Sequence, residues 1–335
     1  MAINIYFQDD NGNYERNYER WQGLVLNVSN TSTPSLHLRT AVEKFMRLDA
    51  GDVPLLWAEK NSDRYCCWTI YRSLPLHQEW FPAISAAEVQ KIALASAEQK
   101  KHLWLRHFAQ ALAKASISCL SNGYWSLRYL DRLGCDPHWN KKYSASQWHA
   151  GAVENDFKLL QAPVVYANLD YDEEKGNNVL NVFAPQHKDC GRVKWWRKLA
   201  RAGQMPPILI WHVHSLSSYL ILDGHDRLQA CLLEGVPPVF ALLTSFYEVA
   251  IHSDPRQEQA ILHQVNLAAE NMALGIYKNP DKFAGMQRVL AQAFDRRPMR
   301  DFDTPSTANL DPKVWQEQVT ALMQKNGQPE TFYLD

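Results

Sequence analysis

One short stretch of the chain concentrates the residue types that bind and transform phosphate groups. In "YLILDGHDRLQACLLEG", residues 219–235, five residues stand between an apolar run and a helical pattern: Asp223, Gly224, His225, Asp226 and Arg227. The glycine permits a tight turn. The first backbone N–H groups of a helix lack intrahelical partners, and they face a point where the helix dipole favours an anion. The stretch therefore predicts a phosphate site at the start of a helix.

Each side chain of this turn has a chemical role in such a site. The Arg227 guanidinium would bind two phosphate oxygens, and His225 would donate a hydrogen bond or transfer a proton near neutral pH. Asp223 would orient His225 or bind Mg²⁺. The alternative is structural: Asp223 or Asp226 caps the helix, and Arg227 pairs with a neighbouring acid. The five residues by themselves favour neither interpretation.

The segments around the turn predict the elements that position it. A helix is expected at "GRVKWWRKLARAG", strands at "PPILIWHV", "SYLILDG" and "PPVFALLTSF", and a helix between the last two strands that ends at Gly235. A longer helix is expected from Asp254, its N-cap, with Pro255 at the first helical position. These expectations rest on hydrophobic periodicity interrupted by glycine and proline.

This order of elements resembles the ParB/sulfiredoxin superfamily over about residues 163–245. In that family a "G..PI.V" strand precedes a "DG.HR" or "GERR" turn, followed by an alanine-containing helix that ends in "G...VP". The resemblance implies a mixed-sheet domain. It also implies that the turn and helix N-terminus, here Gly224, His225, Asp226 and Arg227, bind the phosphates of a nucleoside triphosphate with Mg²⁺.

A second segment extends the resemblance toward residue 280. "ENMALGIYKNP", residues 270–280, is similar to the "EN..R..L.P" box of ParB proteins. In that family the acid and the amide of the box help to hold metal and phosphates. The resemblance therefore implies that Glu270 and Asn271 contact the phosphates and that Glu270, with Asp223, binds Mg²⁺.

Two positions depart from the family pattern. His225 stands where sulfiredoxins have a cysteine and where ParB proteins have the glutamate of "GERR", and Leu274 replaces the arginine of the second box. Sulfinic acid repair and CTP switching are therefore not expected. Gly224, Arg227 and the helix N-terminus, the parts that bind phosphate, are retained. Because a helix N-terminus and an arginine stabilise charge on phosphoryl oxygens, the expected reaction is nucleotide-dependent phosphotransfer or nucleotide hydrolysis, with His225 and Asp223 as candidate catalytic residues.

The whole chain predicts an α+β protein in three parts. Residues 1–135 form an N-terminal α+β and helical domain, with short β-type runs, a helix at residues 36–48 ("LHLRTAVEKFMRL") and a long amphipathic pattern at 86–120. Residues 150–280 form the ParB/sulfiredoxin-like domain, and residues 281–335 form a helical tail with helices expected around 281–294 and 311–325. The turn-rich segment 134–151 is typical of a linker between the first two.

Composition limits the classes of function. Lys and Arg number 35 against 36 Asp and Glu, so no overall cationic field favours nucleic acid. A ParB-like DNA-binding protein or nuclease is therefore a disfavoured alternative.

The six cysteines form no CxxC pair, which argues against a zinc site and a disulfide framework. No apolar run approaches the roughly 20 residues of a membrane span. A bacterial cytoplasmic protein is expected.

A second hypothesis is that the chain is a binding scaffold without catalysis. The sequence has twelve tryptophans, and several of them, if exposed in the N-terminal half, would mark a protein-binding face. An immunity, antitoxin or regulatory protein would fit this hypothesis.

Three other polar clusters have two interpretations each. His212 and His214 are a metal pair or exposed strand residues; the basic run "RVKWWRKLAR" is a nucleic-acid contact or a helix with Trp196 and Leu199 buried. The acidic residues 171–178 supply a ligand to the phosphate site or form a solvated hairpin tip.

Overall fold

The computed structural model describes residues 2–9, 22–41, 44–61, 67–130, 164–168, 179–216, 218–249, 254–276 and 299–327. Two compact units are present: Met1–Phe246 with Phe302–Asp335, and Tyr247–Asp301. Helices occur together with two mixed sheets, which confirms the predicted α+β class.

The strands of the described residues are, in chain order, β1 (Ala2–Asp9), β2 (Gln22–Ser29), β3 (Leu36–Thr40), β4 (Phe45–Ala50), β5 (Val53–Lys60), β6 (Cys67–Arg72), β7 (Gly123–Leu130), β8 (Val164–Asn168), β9 (Val179–Leu180), β10 (Ile208–Val213), β11 (Ser218–Asp223), β12 (Phe240–Val249), β13 (Met299–Asp303) and β14 (Ser306–Thr307). The first sheet has the order β1-β2-β7-β12-β10-β11-β9, with β13 paired to β12. The second has the order β14-β3-β4-β5-β6-β8.

The helices of the described residues are α1 (Ala86–Ala93), α2 (Ala97–Lys114), α3 (Gly191–Arg201), α4 (His225–Glu234), α5 (Pro255–Ala273) and α6 (Pro312–Lys325). Their ends follow the sequence signals. The side chain of Ser85 caps α1 and that of Ser96 caps α2, each as part of a capping box. Asp254 caps α5, ahead of Pro255, as its sequence predicts. No helix in the described ranges has the length and apolar character that crossing a membrane requires.

The elements around the predicted phosphate turn are those expected from the sequence. Strand β10 pairs antiparallel with β11 and parallel with β12, and α4 connects β11 to β12. Gly235 ends α4 with a φ of 64°, a left-handed conformation that glycine adopts without strain. Helix α3 precedes β10, and α4 packs on α3. The turn therefore lies where a strand of the sheet passes directly into a helix.

The first sheet contains segments from both sides of the predicted boundary near residues 135–150. Strand β7 pairs antiparallel with β2 on one side and with β12 on the other, where Leu130 is opposite Phe240. All of β2 and β7 belong to the same compact unit as β10, β11 and α4. Residues predicted as an N-terminal domain and residues predicted as the ParB-like domain thus form neighbouring strands.

The helix predicted at residues 36–48 is wrong, because these residues form β3 and β4. Leu38 is opposite Leu48 in the antiparallel pair, and both side chains are buried. Leucine spacing in this segment fits a helix as well as a strand, and pairing of β4 with β5 completes a sheet that buries these leucines. Tertiary pairing overrides the local helical preference here.

One hydrophobic cluster contains side chains from both sheets and from α1, α2 and α3, including Leu26, Leu56, Phe108, Trp125 and Trp196. A separate cluster attaches α6 to the second sheet: Trp315, Val319 and Met323 pack with Phe45, Trp57 and Tyr71. Helix α6 confirms the helix predicted at 311–325. The helix predicted at 281–294 and the linker at 134–151 lie outside the described residues.

Candidate functional site

The predicted phosphate turn has an uncapped helix N-terminus. Strand β11 ends at Asp223, Gly224 is the N-cap of α4 with a φ of 111°, and no side chain caps the helix. The first helical bond joins Leu228 N to Gly224 O over 2.9 Å. Among the described residues no hydrogen bond to the N–H groups of residues 225–227 is found. The interpretation of Asp223 or Asp226 as the cap is therefore not the one observed, and three backbone donors remain for another partner.

The Arg227 side chain is part of the turn's own structure. It is 1% exposed, and its Nη2 donates to Asp223 Oδ2 over 2.9 Å and to Asp223 O over 3.2 Å. Its Cζ lies 5.4 Å from the ring centre of Trp196 and 6.0 Å from that of Phe108. Of the two interpretations of Arg227, the structure shows the ion pair with a neighbouring acid. Only the Nε atom of the guanidinium is both buried and unpartnered.

Gly224 is required by this arrangement for two reasons. Its φ of 111° is a conformation that side-chain-bearing residues rarely adopt. A Cβ atom at residue 224 would also lie 2.7 Å from Arg227 Nη2 and 3.0 Å from Arg227 Cζ. The bare backbone thus lets the guanidinium lie against the turn.

His225 is partly buried, and its surroundings favour the neutral imidazole. Both ring nitrogens are buried and have no hydrogen-bond partner, and the ring centre lies 5.1 Å from that of Phe183. The pKa of His225 is lowered to about 3, chiefly by burial and also by the charges of His77 and Arg227, while Asp223 opposes the shift. A buried polar group without a partner destabilises the folded protein, so these nitrogens mark a place where a ligand would gain two hydrogen bonds.

A second histidine reaches the same place from the segment between β6 and α1, residues 73–85. The rings of His77 and His225 are 5.9 Å apart, and Nδ1 of His77 is also buried and unpartnered. Trp80, 4% exposed, packs on Phe183 at 4.8 Å and has an unpartnered buried Nε1. Leu74 in this segment has a φ of 44°, a strained value for leucine. Four unsatisfied polar atoms therefore cluster around the Phe183 ring.

Asp226 and Arg192 lie on the side of the turn that faces α3. Asp226 is 6% exposed, and its Oδ2 is 3.7 Å from Arg192 Nε. Arg192 Nη1 also donates to Glu79 Oε1 over 3.2 Å. Burial raises the pKa of Asp226, while His77, Arg192 and Arg227 oppose the rise. The turn therefore holds a carboxyl group whose ionised form is disfavoured by its surroundings.

Helix α2 covers the opposite side of the turn. His107 Nδ1 lies 3.4 Å from Glu88 Oε1, and its pKa is lowered by burial, an effect that Glu88 and Asp223 oppose. The adjacent Phe108 contacts the Arg227 guanidinium. The Asp223–Arg227 pair is thus enclosed by side chains of α2 and α3.

The residues of the second predicted segment belong to the second compact unit. Glu270 and Asn271 lie near the end of α5, where their carbonyl oxygens accept hydrogen bonds from Leu274 N and Ile276 N. Their roles in phosphate and Mg²⁺ binding stay predictions. Within the described ranges no group of three or more histidine, cysteine, aspartate or glutamate side chains is arranged to hold a metal ion.

Of the remaining polar clusters, the two histidines and the basic run lie within the described residues. His212 is buried in β10 and His214 begins the 3₁₀ turn after it, with ring centres 5.7 Å apart. In α3, Trp196 is buried, and Arg197 and Arg201 both pair with Glu234 of α4. The acidic segment 171–178 lies outside the described residues.

The tryptophans of the described residues belong to the interior. Eight of them are less than a tenth exposed: Trp57, Trp68, Trp80, Trp104, Trp125, Trp196, Trp211 and Trp315. Trp195 is partly buried against the main core. These side chains stabilise the fold, and none of the eight offers a surface to a partner protein.

His77, Glu79 and Arg192 were not predicted as site residues. They are between 31 and 146 residues from Asp223 in the chain, and only the fold brings them to the turn. Arg192 lies in the basic run "RVKWWRKLAR", but the charge pattern of that run does not distinguish Arg192 from its neighbours. No sequence pattern around His77 marks it as a site residue.

Comparisons of the chain with protein-family models, with curated proteins and with solved structures find no match.

Proposed function

We propose that the β11–α4 turn binds the phosphate groups of a nucleotide, as the resemblance to the ParB/sulfiredoxin superfamily implies. The observation that carries this proposal is the uncapped N-terminus of α4 beside the unpartnered ring nitrogens of His225. Backbone donors with no capping side chain, at the positive end of a helix dipole, suit an anion. The buried imidazole then has a partner only when a ligand or solvent enters.

In the proposed complex the backbone N–H groups of residues 225–227 bind phosphate oxygens. The Asp223–Arg227 pair holds the turn in shape, and Gly224 lets the backbone approach the ligand closely. Mg²⁺ would arrive with the nucleotide, since this ion is commonly held by one or two carboxylates together with phosphate oxygens. Asp223 would be the Mg²⁺ ligand at this turn. Of its two carboxylate oxygens, Oδ2 accepts from Arg227, so Oδ1 would bind the ion.

The reaction that fits this site is hydrolysis of the nucleotide or transfer of a phosphoryl group. Such reactions depend on positioning and on stabilising charge at phosphoryl oxygens, with little covalent participation by the protein. Because burial favours the neutral ring, His225 can accept a proton from the attacking water or hydroxyl group. Bound phosphate would raise the pKa of His225 by supplying negative charge. As the attacking oxygen bonds to the terminal phosphorus and the bond to the bridging oxygen breaks, the protonated ring could give its proton to the departing shortened nucleotide.

A panel of ligands tests the proposal on the full chain. Melting temperatures are measured with ATP, GTP, CTP, UTP and pyrophosphate, each with and without MgCl₂. Selective binding stabilises the folded state by mass action, about 2.7 kcal/mol when the ligand is at 100 times its Kd. A rise of several degrees with at least one nucleotide supports the proposal, and an unchanged melting temperature with every ligand contradicts it.

A further inference from the structure

We infer that Arg192 is the guanidinium that meets the ligand's phosphate, while Arg227 is a fixed internal part of the turn. This inference rests on the proposed function and names the side chain that selects a phosphate at the site. It differs from the sequence-based expectation, in which Arg227 neutralises the ligand.

The surroundings of the two arginines differ in the way this assignment requires. Arg227 is 1% exposed and lies between the rings of Trp196 and Phe108. Arg192 is 35% exposed and lies in the first turn of α3. A guanidinium that binds a ligand must exchange its partners without unfolding its surroundings, and only Arg192 has this freedom.

Arg192 is also placed at the ligand end of α4. Its Nε is 3.7 Å from Oδ2 of Asp226, the second residue of that helix. Residue 226 carries one of the three backbone N–H groups that have no capping partner. A phosphate bound by those N–H groups would therefore lie within reach of the Arg192 guanidinium, which can bind two oxygens at once.

The present partners of Arg192 hold it weakly enough for a phosphate to replace them. The contact with Asp226 is too long for a hydrogen bond, and Glu79, which accepts from Nη1 over 3.2 Å, is 60% exposed. Exposed ion pairs contribute little to stability, because solvent screens them. Two carboxylates therefore occupy the guanidinium weakly in the unliganded protein, and a phosphate with two negative charges competes with them.

The same geometry gives Glu79 a regulatory part in binding. While its carboxylate holds Arg192, it competes with the ligand for the same donors. Removing that charge in Glu79→Gln should strengthen nucleotide binding, because less of the guanidinium must be released. Carboxylate removal elsewhere on the surface should have no such effect.

The test measures the affinity of the nucleotide that raises the wild-type melting temperature most, by calorimetric titration, for wild type, Arg192→Ala and Arg192→Lys. The control is Arg201→Ala, on the same helix, where Arg201 is 57% exposed and pairs with Glu234 over 2.9 Å. Loss of a charge-assisted bidentate contact predicts a drop in affinity of about 10-fold or more in Arg192→Ala. Arg192→Lys should recover part of it, and Arg201→Ala should match wild type.

The outcomes separate this inference from the proposed function. If wild type binds the nucleotide and Arg192→Ala binds it equally well, the inference is overturned while the phosphate turn stands. Equal losses of affinity in Arg192→Ala and Arg201→Ala also overturn it, because the loss would then come from removing any positive charge on α3. If wild type binds no nucleotide and no pyrophosphate, both proposals fall. An increase of about 3-fold or more in Glu79→Gln is the expected companion result, and a decrease contradicts the competition.

Discussion

The guanidinium of Arg227 lies directly against the backbone of Gly224, so that a Cβ atom at residue 224 would be 2.7 Å from Arg227 Nη2. A partly buried ion pair with Asp223 holds the guanidinium in this position. The turn is therefore shaped by its own side chains before any ligand arrives. Preorganised backbone donors of this kind bind an anion without the entropy loss of ordering a loop.

Gly224→Ala should destabilise the fold strongly. The substitution forces a left-handed conformation on alanine, about 1–2 kcal/mol, and displaces a buried guanidinium as well, so we expect a total loss of about 3 kcal/mol. The matched control is Gly235→Ala, where φ is 64° but nothing lies within 4 Å of the added Cβ. Urea unfolding measures both variants. Equal losses of unfolding free energy in the two variants would show that the close approach of Arg227 to Gly224 does not affect stability.

Asp223→Ala should also destabilise the protein, because it leaves the Arg227 guanidinium buried without its carboxylate. Removing one partner of a buried pair typically costs about 3–5 kcal/mol, and the 22% exposure of Asp223 places the expected loss nearer about 2–3 kcal/mol. Glu234→Ala is the control, since its partners Arg197 and Arg201 reach solvent, and it should have a much smaller effect. A loss in Asp223→Ala no greater than in Glu234→Ala would contradict the structural role of the pair.

The local elements of the site were predictable because they depend on nearby residues. Apolar runs define β10, β11 and β12, and the glycines at 224 and 235 have the left-handed φ values that end a strand and a helix. The helix expected at 36–48 failed because the spacing of its leucines fits both periods, and a distant strand pairing decided between them. Short apolar segments carry this ambiguity in any sequence.

The composition of the site was only partly predictable. Asp223, Gly224, His225, Asp226 and Arg227 are adjacent in the chain, so their assembly requires only the turn. His77 and Arg192 reach it through the packing of the 73–85 segment and α3 on α4, which no local pattern encodes. The burial of Arg227 was likewise not predictable from the sequence, because it depends on Phe108 and Trp196 from two other helices.

His225 should make the protein less stable at acidic pH. Its pKa in the folded state is about 3, below the ordinary 6.5, so the unfolded chain binds a proton that the folded chain rejects. The free energy of unfolding therefore falls as the pH falls from about 6.5 toward about 3. At about 1.4 kcal/mol per pH unit, this group contributes a loss of up to about 2 kcal/mol between about pH 7 and about pH 5.

Urea unfolding of His225→Gln at the two pH values isolates this contribution. The variant should lose less stability on acidification than wild type, by up to about 2 kcal/mol. His187→Gln, at a side chain that is 76% exposed, serves as the control and should follow wild type. The same pH dependence in wild type and His225→Gln would contradict the burial of a neutral imidazole. Charges that face His225 from neighbouring segments, on His77, Asp223 and Arg227, remain in the variant.

The same variant separates catalysis from binding. His225→Gln should retain nucleotide binding, since an amide still donates a hydrogen bond, while turnover falls by about 10²-fold or more. The rate of phosphate release measures turnover, and the pH–rate profile of the variant should lose one limb. Equal turnover in wild type and variant would remove His225 from the mechanism and would favour a binding scaffold without catalysis.

Nuclear magnetic resonance of the backbone amides tests the central claim most directly. The ¹⁵N–¹H signals of His225, Asp226 and Arg227, assigned by selective labelling, are followed while the best-binding nucleotide is added with MgCl₂. If the turn binds phosphate, these three signals shift downfield together, at the nucleotide concentration that raises the melting temperature, because their N–H groups form hydrogen bonds to phosphate. If the melting temperature rises while these signals stay in place and others shift, the nucleotide binds elsewhere and the phosphate-binding turn is contradicted.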